Sequence, residues 1–99
     1  MNRTEHLLVI FAEECCEVAQ ETSKALRFGV NEQRDLPTSN LQRIEKEFSQ
    51  LLAMREMLET EGVVINIDFK VIRDKKAKVE EYLLYSKECG TLSANELGE

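Results

Sequence analysis

Apolar residues recur along the chain in three blocks, each with the three-to-four spacing that marks one face of a helix. In the first block, residues 4–28, the stripe is Leu7, Phe11, Cys15, Val18, Thr22 and Leu26. Thr4 is placed to cap its start, Lys24 and Arg27 suit the negative end of a helix dipole, and Gly29 stands where a terminating glycine belongs. The next stretch, VNEQRDLPTSN (30–40), holds a proline and several capping residues and reads as a loop. Ser39 and Gln42 have the spacing of a capping box for a second helix, from about Asn40 to Glu61, whose apolar arc is Leu41, Ile44, Phe48, Leu51, Leu52 and Leu58; Gly62 ends it.

The β-branched run VVINI (63–67) has no second strand in the chain to pair with. It is expected to be an extended connector packed on the helices, with pairing to another subunit as the alternative. Asp68 can cap a third helix, Phe69 to Glu88, with Phe69, Ile72, Val79 and Leu83 as its stripe and Gly90 at its end. Residues 91–99 read as a polar tail. These elements predict an all-α domain over residues 1–90, an antiparallel bundle of three main helices with room for a short fourth. A chain of 99 residues builds only a thin core. Assembly into a homodimer or homotetramer is therefore expected to complete it, with Tyr82 and Tyr85 packing between subunits.

Charge narrows the function classes. A net charge of −6 repels nucleic acid and anionic membrane surfaces and gives no reason to expect either as a partner, whereas it suits cation binding. The longest apolar stretch, LLVIFA, is far too short for a bilayer, and the N-terminal MNRTEHLLVIFAEE meets acid too early for a signal peptide. Cys15, Cys16 and Cys89 match no zinc spacing and read as reduced, cytosolic thiols, with Cys15 in the core. His6, the only histidine, lies at a helix start and reads as a surface residue, so no Ser–His–Asp or Cys–His arrangement can be built on it.

The informative residues are acidic. At 100° per residue, Glu14 falls between Ile10 and the apolar stripe of the first helix, with Glu17 and Glu21 beside it and Glu13 further out. On the second helix Glu47 falls between Met54 and Leu58, inside the edge of the apolar arc, so it should be at least partly buried. Gln50 repeats, with Glu47, the three-residue spacing of Glu14 and Glu17. Burying an unpartnered carboxylate costs several kcal/mol, so a cation is needed: Arg55, set within the apolar arc, or a hard divalent ion such as Mg²⁺ with oxygen ligands. The alternative is an ordinary solvated acidic face, with Glu17 and Glu21 paired along the helix and Lys24 nearby.

Taken together, EECCE (13–17), SKALRFG (23–29), TSN (38–40), EFSQLL (47–52) and KKAKVEEYLLYSKECG (75–90) resemble the MazG-like, all-α nucleoside triphosphate pyrophosphohydrolases, in particular their short phage and prophage forms. That family carries EExxE on one helix and ExxD on the next, holding Mg²⁺ ions that position the phosphates. The resemblance implies hydrolysis of a nucleoside or deoxynucleoside triphosphate to monophosphate and pyrophosphate, with Mg²⁺, or Mn²⁺ in its place, in a bacterial or phage-infected cytoplasm. By position, Glu14, Glu17 and Glu47 would be catalytic metal ligands and Glu13 a supporting contact, while Lys24, Lys75 and Lys78 would contact phosphate. Gln50 would be the fourth ligand, standing where the family has aspartate; it removes a negative charge and cannot act as a base. A non-enzymatic helical module of the same ancestry is the rival reading, and a helical protein with no ligand at all is the third.

Overall fold

The computed structural model describes residues 1–93. The fold is all-α, with helices α1 (Arg3–Phe28), α2 (Asn40–Thr60) and α3 (Phe69–Glu88) and no strand among the described residues. Residues 94–99, most of the expected polar tail, lie outside the described residues. The chain divides into two compact units, one running from Met1 to Ile65 and one starting at Asn66.

The first unit is a helical hairpin. Its antiparallel sense follows from its end contacts: Arg3 Nε lies 2.6 Å from Glu61 Oε1 at one end, and Glu21 meets Arg43 towards the other. α1 starts one step earlier than its apolar pattern suggests. Asn2, not Thr4, is the N-cap: its side chain accepts from the Glu5 amide at 2.9 Å, and Glu5 reaches back to the Asn2 amide at 3.3 Å. Reciprocal satisfaction of two otherwise unpaired amides favours this start over a single threonine cap. Thr4 is left half-buried within the first turn. The Ser39–Gln42 capping box on α2 forms as its spacing suggests.

Between the helices Gly29 turns the chain at φ +107°, a conformation open in practice only to glycine. The loop then folds back on itself, the Asn40 amide donating to Glu32 O at 3.1 Å and the Leu41 amide to Val30 O at 2.9 Å. After α2, residues 63–67 have no regular secondary structure, and Val63 and Ile65 pack with Phe11 on a small core of Leu7, Met54 and Leu58.

The buried seam of the hairpin differs from the expected stripe. On α1 the shielded residues include Thr4, Leu7, Phe11, Glu14, Val18, Glu21 and Ala25, in alternating steps of three and four, with Lys24 flanking them; on α2 they include Asn40, Ile44, Glu47, Leu51, Met54 and Leu58, stepped the same way. That is the heptad period of two helices packed along their length. Selecting only apolar residues gives a longer period, and it carries the stripe onto Cys15, Thr22 and Leu26, all of which are exposed, Leu26 at 89%. Cys15 is therefore not a core residue. The true seam passes through two glutamates on α1 and one on α2.

The second unit is built on α3, capped by Asp68 Oδ1 accepting from the amides of Lys70 at 2.9 Å and Val71 at 3.2 Å. No residue of α3 is buried, and Leu83 is the member of its apolar stripe that is half-covered. No helix among the described residues is long and apolar enough to cross a membrane.

Candidate functional site in the hairpin seam

Two polar clusters interrupt the seam. In the first, Glu14 of α1 and Glu47 of α2 face each other, both half-buried. Burial raises the Glu14 pKa above its ordinary 4.5; the close approach of the Glu47 carboxylate and the nearby charges of Glu17 and Glu13 raise it further. Two carboxylates this close disfavour each other's charged form. Glu14 Oε2 is sealed from solvent and has no hydrogen-bond partner.

Glu13 and Glu17 are exposed; both act on Glu14 through their charge. Gln50 is exposed, so it is not drawn into the seam beside Glu47. Among the described residues no group of three or more His, Cys, Asp or Glu is gathered closely enough to hold a metal ion. Arg55 does not neutralise either acid: its Nε donates to Ile65 O at 2.8 Å and ties the connector down.

The second cluster lies one heptad further along α1, about 10 Å along the helix axis. Glu21 is only 8% exposed, although the helical wheel sets it beside Glu17 at the margin of the apolar stripe. Its Oε1 accepts from Lys24 Nζ at 3.3 Å, and its Oε2 lies 3.5 Å from Arg43 Nε, an ion pair without hydrogen-bond alignment. Arg43 is held in place by Thr38, through both the carbonyl and Oγ1, and by Asn40 Oδ1. Asn40, 1% exposed, in turn donates to Gly29 O at 2.8 Å and Glu32 Oε2 at 3.2 Å. Lys24 is thus the one expected phosphate contact that belongs to the hairpin. Lys75 and Lys78 are exposed residues of α3, in the other unit.

Glu21, Arg43 and Asn40 escape a reading that looks for apolar stripes, because their signal is position: each occupies or flanks a heptad step on its helix. In comparisons with protein-family models, curated proteins and solved structures, nothing matched this chain.

Proposed function

We propose that the hairpin is the metal-binding half of a nucleotide-processing site, and that the protein is a Mg²⁺-dependent nucleoside triphosphate pyrophosphohydrolase of MazG-like type. The observation that carries this reading is the meeting of Glu14 and Glu47 from different helices, with Glu14 Oε2 sealed from solvent and without a partner. All the donors here are oxygens, the chemistry that a hard divalent cation takes. Glu14 and Glu47 would hold the ion and Glu17 would complete its acidic side. Such a cation offsets charge on phosphate oxygens and activates water for attack at phosphorus. Glu13 and Glu17, exposed at the edge of the seam, are placed to accept the proton released by that water. Lys24, at the next heptad, is a phosphate contact within the same hairpin.

Assembly belongs to this reading. Leu8, Val9, Ile10, Phe48, Leu52 and Leu26 are large apolar side chains left exposed, and α3 buries nothing. A homodimer or homotetramer would cover such surface, in keeping with a cytoplasmic, phage-type protein. The rival reading, a helical module without catalysis, is favoured by two observations: the exposure of Gln50 and the absence, among the described residues, of a gathered three-carboxylate site.

Pyrophosphate release from a panel of triphosphates, with Mg²⁺ or Mn²⁺, separates the two. Activity in the wild type that is lost in Glu14→Gln and Glu47→Gln supports the hydrolase. Activity that appears only in Gln50→Asp supports the module, and none in any variant refutes the enzymatic reading.

A further inference from the structure

We infer that the cavity at the loop end of the hairpin is an anion site that takes a phosphate group without the help of a metal. The cavity measures about 210 Å³ and is lined by Lys24, Phe28, Glu32, Arg34, Asn40 and Arg43, with Leu36 at its edge. Three cations against Glu32 in the lining and Glu21 behind it leave an excess of one positive charge, in a chain whose net charge is −6. Glu21 sits behind two of those cations and anchors them.

The donor inventory shows capacity left over. Lys24 uses one of its three ammonium hydrogens on Glu21. Arg34 engages Glu32 through Nε alone, at 3.3 Å, and its side chain is 70% exposed, so its terminal nitrogens can turn to an incoming oxyanion. Arg43 directs Nη1 to Thr38 and one Nη2 hydrogen to Asn40, with Nε beside Glu21 Oε2 at 3.5 Å, which leaves its second Nη2 hydrogen unengaged. Such a rigid fork suits a tetrahedral oxyanion better than a mobile side chain does.

The backbone also presents the site. Arg34 adopts φ +51°, a left-handed conformation uncommon for a residue other than glycine. Its guanidinium lies 5.1 Å from the centre of the Phe28 ring, whose other cationic neighbour is Arg27 at 4.8 Å. Size decides the ligand class. Pockets for drug-sized molecules run from about 300 Å³ upwards, so this one accommodates a phosphate group and the first atoms of whatever bears it, not a whole nucleotide. The inference shares Lys24 with the hydrolase reading but neither of its metal ligands, since Glu14 and Glu47 do not line the cavity; binding in excess chelator therefore tests it separately.

The test is a titration of the full chain with inorganic phosphate in excess chelator at constant ionic strength, followed by NMR signals of Asn40 and of the Arg34 and Arg43 guanidinium groups. Saturable shifts are expected, with affinity weakened about tenfold in Lys24→Gln and in Arg34→Gln, the effect of losing one charge-assisted contact. Leu36→Glu, which brings a carboxylate to the mouth of the cavity and removes no polar contact, should abolish the shifts while leaving the melting temperature near that of the wild type. Tighter binding of glycerol phosphate would support the site as one for organic phosphates, and tighter binding of phosphate itself would support it as one for the free ion. Unsaturable shifts, equal shifts with chloride, or undiminished shifts in Leu36→Glu would each overturn the inference.

Discussion

Arg43 is the residue on which the polar half of the seam depends, and its replacement by glutamine tests that directly. The side chain of Glu21 is only 11% exposed, and Arg43 is the less exposed of its two cations, at 20% against 41% for Lys24. Removing one partner of a buried ion pair typically costs about 3–5 kcal/mol, because the other charge stays sealed and unpaired. Lys24 still reaches Glu21, which lowers the figure, whereas the lost contacts to Thr38 and Asn40, each worth about 0.5–1.5 kcal/mol, raise it again. A net loss of about 3 kcal/mol is expected. Lys24→Gln, which removes the more exposed partner, should cost only about 0.5–1 kcal/mol. Urea unfolding of both variants, read as a change in midpoint at constant slope, gives the two numbers. A double-mutant cycle with Glu21→Gln should return about 1.5–3 kcal/mol of coupling between positions 21 and 43. If Arg43→Gln costs no more than Lys24→Gln, the buried acid is not held by Arg43 and the account of the seam is wrong.

Three further outcomes follow from the same geometry. Because the Glu14 pKa is raised in the folded protein, its effect on stability is most favourable below its ordinary 4.5 and is lost as pH rises through the raised value. Glu14→Gln should therefore melt above the wild type at neutral pH, and thermal scans should show that advantage vanishing on acidification; a constant offset would contradict a raised Glu14 pKa. If the acidic pair takes a divalent ion, Mg²⁺ or Mn²⁺ should raise the wild-type melting temperature and leave Glu14→Gln and Glu47→Gln unmoved, while Gln50→Asp enlarges the rise. Gly29→Ala should destabilise by about 1–3 kcal/mol through backbone strain, because the added methyl meets only ordinary contact with Glu32 at 3.7 Å; an unchanged denaturation midpoint would show that the turn can relax.

Much of the fold is legible in the sequence where the signals are local. The Ser39–Gln42 box, the Asp68 cap and the glycines at 29 and 62 mark helix ends by satisfying or freeing particular backbone groups, and the structure uses them so. The seam is harder to read, because its period is set by the partner helix rather than by either helix alone. Glu21 looks like a flanking surface glutamate until Arg43 is known to stand opposite it, some twenty residues later in the chain. For the same reason Arg55 misleads: it has the right charge at an interior position, but the nearest need is the Ile65 carbonyl and not a carboxylate. Glu14 and Glu47 are found from the helical wheel, since both lie at the margin of apolar arcs. What the wheel cannot supply is that Gln50, three residues on, turns outward.

The turn between the helices has a mechanical consequence. Asn40 reaches back eleven residues to the Gly29 carbonyl, and two main-chain bonds lace the strands of the turn together beneath it. Amide exchange at this tip should be as slow as in mid-helix, unlike that of ordinary connecting segments. The opposite end is clasped by Arg3 and Glu61, whose side chains are 66% and 27% exposed. The apolar core of Leu7, Met54 and Leu58 lies towards that clasped end, so the hairpin is held by hydrogen bonds at one end and by packing at the other.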